Sequence, residues 1–174
     1  MIQLSSLLWV SAIFFAVIGF LRGWNREIVA LSGIVLGMFA LFQFDSVIRS
    51  LIFVSLPRDQ VFLVQAGLFM VIVYIAYQTR GPGIRRSTQE LQTHILGGII
   101  GFANGYLICG TLWYFLDINE YPLAPLIIGP GVDSPSAQAL SSMPIVLLGG
   151  GVSGSGDFLA VIVLLLFLVV LLVI

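Results

Sequence analysis

The sequence predicts an all-α fold: a polytopic transmembrane helical bundle with a four-helix core and a fifth C-terminal transmembrane helix. Three observations lead there. Five apolar stretches, at residues 4–21, 28–44, 61–77, 95–116 and 158–174, contain no charged residue. The composition, 59% hydrophobic against 9% charged, lies far outside the range of soluble proteins. The stretches do not alternate polar with apolar residues, which excludes barrel strands, the other structure that satisfies its own backbone in a bilayer. A helix needs roughly 20 residues to cross a hydrocarbon core about 30 Å thick, with about 17 near the lower limit.

The chain of 174 residues has room for one bundle. Residues 1–117 form the four-span core, 118–156 a loop rich in Pro, Gly and Ser, and 157–174 the last span. Nothing basic precedes the first span and no small-residue cleavage site follows it, so no removable signal peptide is expected. Orientation follows from the arginines. Arg22, Arg26, Arg80, Arg85 and Arg86 lie in the first and third loops, against Arg49 and Arg58 in the second. This bias puts the N-terminus outside and the C-terminus, after five spans, in the cytoplasm.

The first two helices are expected to form a tight hairpin. Gly19 and Gly23 are four apart, as are Gly33 and Gly37, a spacing that lets helix backbones approach where lipid gives no hydrophobic drive for association. Asn25 is placed to cap the second helix, and Glu27 in its first turn to complement the helix dipole. Trp24 suits the headgroup level. Arg22, Trp24, Arg26 and Glu27 therefore read as a topology signal and turn, or as a contact for a partner or anionic lipid. The second loop, 45–60, is partly amphipathic and broken at Pro57. In the third, Gly81-Pro82-Gly83 ends the helix, and Arg80, Arg85 and Arg86 read as a positive-inside signal or as a contact for a lipid headgroup or protein, each contributing about 1 kcal/mol near an anionic leaflet by polybasic estimates.

The fourth span carries the densest pattern. Gly97, Gly101 and Gly105 form a small-residue zipper, and Asn104 shares their face. Glycine costs roughly 0.8–1 kcal/mol relative to alanine in a water-exposed helix, so a run this dense implies close packing against another helix. Asn104, read as the one carboxamide deep inside a span, is expected to make an interhelical hydrogen bond of about 0.6–2 kcal/mol. Beyond it, Ser134-Pro135 predicts a short helix ending at Pro144, and 149–156 a flexible linker. Apolar patches at 123–128 and 145–148 are expected to pack on the bundle, the membrane surface or a partner. The last span lacks Gly, Ser and Thr, and reads as a peripheral, lipid-facing helix or one pressed on another subunit.

Little in the chain points to catalysis. The carboxylates fall in loops or at span ends, and no ionisable group is expected at depth, where a transporter or proton relay needs one. His94 is the single histidine and Cys109 the single cysteine, read as an interfacial anchor and a small apolar filler. There is no lysine and no Walker A, HExxH, GxGxxG or GxSxG pattern. No catalytic residue, cofactor, metal site or nucleic-acid partner is expected; the expected partners are membrane lipids, and proteins or further copies meeting the glycine-rich helix faces.

Two segments together resemble the colicin V production protein family of bacterial inner-membrane proteins. Val17-Ile18-Gly19-Phe20-Leu21-Arg22-Gly23-Trp24-Asn25-Arg26-Glu27-Ile28 is similar to its hydrophobic helix ending in an Arg-Gly-aromatic-x-Arg-Glu turn. Ile95-Leu96-Gly97-Gly98-Ile99-Ile100-Gly101-Phe102-Ala103-Asn104-Gly105-Tyr106-Leu107 is similar to its glycine-spaced fourth helix. The resemblance covers about residues 4–117 and leaves out the last span. This chain departs from the pattern at Ser5 or Ser6, in place of an Asp, at Thr93-His94, in place of an acidic–basic pair, and at Asn104, in place of a basic residue. The resemblance implies a role in toxin production or envelope physiology and no catalytic residues. The alternatives are an accessory subunit of a larger membrane complex, energy-converting or otherwise, and a small channel or transporter.

Overall fold

The computed structural model describes residues 3–51, 55–78, 90–150 and 156–173. The elements are α1 (Leu4–Arg22), α2 (Trp24–Gln43), α3 (Asp45–Leu51), α4 (Arg58–Gln78), α5 (Glu90–Ile118), α6 (Pro135–Ala139), a 3₁₀ turn η1 (Leu140–Ser142), α7 (Pro144–Gly149) and α8 (Asp157–Val173). Among the described residues, helices α1, α2, α4 and α5 are the four long and apolar enough to cross a membrane. The 17-residue α8 is shorter, about 25 Å at 1.5 Å per residue. The Arg80, Arg85 and Arg86 surface segment lies outside the described residues, as does most of the expected 149–156 linker.

Helix α2 is the central element and packs against α4, α5 and α8. Its Ile34, Val35, Met38 and Leu41 meet Phe62, Phe69 and Val73 of α4 and Leu107, Ile108, Phe115 and Leu116 of α5 in one buried core. Phe69 and Phe115 meet edge to face at 6.0 Å, a favoured aromatic arrangement. The outer faces are apolar as well: Val10, Ile13, Phe14 and Val17 of α1, and Leu63, Val71 and Ile75 of α4, are exposed. A helix apolar on both its packed and its exposed faces belongs in hydrocarbon.

Helix α1 packs chiefly on α5 rather than on its hairpin partner α2. A Cβ at Gly19 would lie 2.8 Å from the Gly101 Cα, one at Gly101 2.9 Å from the Gly19 Cα, and one at Gly105 2.9 Å from the Ala12 Cα. These are backbone contacts, and no rotamer change relieves them. Gly33 and Gly37 face α4 instead, where a Cβ would meet Ala76 at 2.6 Å and Ile72 at 2.8 Å. The glycines of α1 and α2 thus serve different neighbours.

Beyond α5 the chain folds back on the bundle. Ser134 caps α6, its Oγ accepting from the Ala137 N–H at 3.1 Å, and Pro135 occupies the first turn. Pro144 does not only stop the preceding turn: it opens α7, because its missing N–H costs nothing there. Met143, Pro144 and Ile145 are buried. Gly110 of α5 makes room for the Pro144 ring. Gly110→Val is therefore expected to lift α7 off α5 while leaving the α1–α5 seam closed. Faster hydrogen exchange confined to residues 135–149 is the predicted readout. Helix α8 is not a free appendage: Leu159 is fully buried, and Ile162, Val163 and Leu166 pack on the core. Its other side, including Val161, Leu164, Leu165 and Leu168, is exposed.

Candidate functional site

A buried polar cluster forms where four helices meet at the Arg22 end of the bundle. Gly23 separates α1 from α2 with φ +83 and ψ 156, a left-handed-side φ that favours glycine. This turn places Arg22, last in α1, beside Glu27, one turn into α2. The Arg22 Nη1 donates to Glu27 Oε1 at 2.5 Å, and Nη2 donates to the Tyr77 carbonyl of α4 at 2.9 Å. The same guanidinium lies 4.4 Å from the Tyr77 ring centroid, a cation–π distance. The Tyr77 hydroxyl donates to Glu27 Oε2 at 3.3 Å. From α5, Asn104 Nδ2 donates to Glu27 Oε2 at 2.8 Å and to the Glu27 carbonyl at 3.2 Å. One residue from each of α1, α4 and α5 thus converges on the single carboxylate of Glu27 on α2.

Glu27 and Asn104 are both 0% exposed. Glu27 stands at a span end, as expected, but in the first turn of α2 it is enclosed by its neighbours rather than turned to water or headgroups. Asn25, expected to cap α2, does not; no side chain caps that helix. The Oδ1 atoms of Asn25 and Asn104 are buried without a hydrogen-bond partner among the described residues. Trp24 is half-buried and Arg26 exposed, outside the cluster. The His94 Nδ1 donates to the Phe20 carbonyl at 2.5 Å, anchoring the start of α5 to the end of α1.

A second network, not singled out from the sequence, lies at the opposite end of α2. Arg49 Nε donates to Asp45 Oδ2 at 2.8 Å, and Gln65 Nε2 of α4 donates to Asp45 Oδ1 at 2.7 Å. Asn119 Nδ2 then donates to Gln65 Oε1 at 2.9 Å and to the Phe115 carbonyl at 2.7 Å. Gln65 and Asn119 are buried. Asn104 is therefore not alone as an amide inside the bundle. The available signal was Gln65, which interrupts the third apolar stretch two turns from its helix start.

Glu27 and Asp45, the first residue of α3, are 18 residues apart, and the part of α2 from Glu27 to Gln43 runs about 24 Å. Between them the described core is apolar. The polar side chains nearest that middle, Ser32 and Thr111, donate back to carbonyls of their own helices, Ile28 and Leu107. Each network ties helices together at one end. Removing one partner of a buried pair typically costs about 3–5 kcal/mol, although the intact pair adds little net stability. Just beyond α5, burial pushes the Tyr121 hydroxyl up to about 12, the Trp113 hydrogen bond opposing and Asp117 reinforcing the shift. It therefore stays a donor to Asp117 Oδ1, at 3.0 Å. Among the described residues no group of three or more His, Cys, Asp or Glu side chains is placed to hold a metal ion.

No curated protein and no solved structure matches the chain. The family model for the colicin V production protein matches residues 4–128. That range takes in α1 to α5, the glycine contacts between α1 and α5, and both polar networks. Spanning most of the sequence, the match shows that the chain belongs to the colicin V production protein family.

Proposed function

We propose that this protein is a non-catalytic component of the bacterial inner membrane that supports toxin production and secretion or envelope homeostasis through contacts with other molecules. The observation that carries the reading is the use of the buried charge. Arg22 and Glu27 are spent on tying α1, α2, α4 and α5 together, and the described core beyond them is packed with apolar side chains. A conducting or transporting bundle normally directs such groups at a pathway. In this reading the Arg22–Glu27 turn faces the cytoplasm, in keeping with the arginine bias, and α8 crosses as a fifth span to return the C-terminus there.

The accessory-subunit reading draws on the exposed apolar side of α8, where Val161, Leu164, Leu165 and Leu168 are uncovered. Native mass spectrometry after mild-detergent extraction separates the two. Isolation alone or as a homo-oligomer with bound lipid is expected, and a fixed stoichiometric complex with other proteins would replace the first reading with the second. For orientation, a cysteine introduced at exposed Arg26 in a Cys109→Ala background should react with an impermeant maleimide only after the membrane is opened. Labelling of intact cells would reverse the topology.

A further inference from the structure

Between Glu120 and Asp133 the chain carries no charged residue, and its apolar side chains divide between two directions. Leu123 and Ile127 turn inward and pack on the core. Leu126, Ile128 and Val132 turn away, with 90%, 54% and 92% of their surface exposed. Fully exposed leucine and valine side chains in a charge-free segment call for an apolar surrounding.

The depth of this segment is set by its contacts. The Tyr121 hydroxyl accepts from Trp113 Nε1 at 3.1 Å and donates to Asp117, so the ring lies along the last turns of α5. Gly129 packs against the same ring. The following elements sit lower still. The Ser142 carbonyl accepts from the Tyr106 hydroxyl. Pro144 lies against Gly110, eight residues before the end of α5, about 12 Å along the axis. The spans beside it keep apolar outer faces at this end, through Leu7 and Val10 of α1 and Leu63 and Val64 of α4. Tyr side chains, here partly exposed Tyr121, are enriched where hydrocarbon gives way to headgroups.

We infer that residues 121–132 form an interfacial anchor, lying in the boundary between headgroups and acyl chains with Leu126, Ile128 and Val132 among the lipid tails. The occupant of this surface is the bilayer itself, because the patch continues the lipid-facing surface of the spans. Glu120, paired with Arg58, and exposed Asp133 bracket the immersed segment on its aqueous side. The inference rests on the reading of α1 to α5 as membrane-spanning.

The test uses the full chain carrying Cys109→Ala, with a nitroxide on a single cysteine introduced as Leu126→Cys, Val132→Cys, Asp133→Cys or Ile13→Cys. The protein is placed in vesicles of phosphatidylethanolamine and phosphatidylglycerol. Power saturation then compares collisions with oxygen, which concentrates in hydrocarbon, and with a neutral nickel chelate, which stays in water. The oxygen-to-nickel ratio at 126 and 132 is expected to approach that of Ile13→Cys on α1 and to exceed that of Asp133→Cys several-fold. A ratio like that of Asp133→Cys overturns the anchor, and so does shielding from both reagents, which marks a protein contact. Ile13→Cys reports separately on the spans: a hydrocarbon signature there leaves them standing whatever 126 and 132 show, and an aqueous one removes both.

Discussion

Gly101→Leu is expected to separate α1 from α5 and to cause one of the two greatest losses of stability among the substitutions considered. A Cβ at Gly101 would stand 2.9 Å from the Gly19 Cα and 3.1 Å from the Gly19 nitrogen. Because these atoms are backbone, the clash is relieved only by moving one helix away from the other. Overpacking typically costs about 1–3 kcal/mol and occasionally more; with backbone on both sides, the upper end is expected. Helix association in a bilayer relies on close van der Waals packing, so a forced gap along the seam removes the contact rather than softening it. Gly67→Ala is the control. It lies within α4, where a Cβ meets nothing within 4 Å, so the substitution should be neutral or stabilising by at most about 1 kcal/mol. Thermal unfolding in mild detergent checks both, and an unchanged midpoint for Gly101→Leu would contradict the packing described.

Glu27→Ala is the second. It leaves the Arg22 guanidinium without its carboxylate and removes the acceptor shared by Tyr77 and the Asn104 side chain. Arg22 keeps the Tyr77 carbonyl, and 20% of its side chain is exposed, so part of its charge is recovered by headgroups or water. Tyr77 and fully buried Asn104 have less recourse. The expected loss is about 3 kcal/mol, the lower end of the range for breaking a buried pair. Glu27→Gln keeps an acceptor for Asn104 and is expected to lose less. Equal losses for the two variants, measured by reversible unfolding, would show that the ion pair rather than the amide contact dominates.

The long helices were legible because hydrocarbon imposes a simple demand: apolar side chains over a fixed length. The four membrane-length helices match the first four apolar stretches, α2 stopping one residue short at Gln43 and α4 and α5 overrunning theirs, where Gln78 and Glu90 satisfy helix geometry in spite of their polarity. Small-residue spacing marked Gly19, Gly97, Gly101 and Gly105 as points of close approach, but spacing does not name the partner. Gly19 meets α5, while Gly33 and Gly37 meet α4.

The polar clusters were harder to read. Glu27 sits in the first turn of a helix, where a carboxylate ordinarily faces water and the helix dipole. Its burial depends on a tyrosine 50 residues away and an asparagine 77 residues away, and no local pattern carries that information. Asp45, Gln65 and Asn119 escaped for the same reason. The resemblance did point at one position: Asn104 stands where the family pattern has a basic residue, and in this structure that position faces Glu27.

The most direct test of the four-helix cluster is a double-mutant cycle between Glu27→Ala on α2 and Asn104→Ala on α5, with unfolding free energies measured in one detergent. Direct bonding between these side chains predicts a coupling of about 1–2 kcal/mol, in the upper part of the range measured for neutral interhelical bonds. Losses that add within about 0.3–0.5 kcal/mol would mean that the two side chains do not interact, and that Glu27 does not hold α2 to α5.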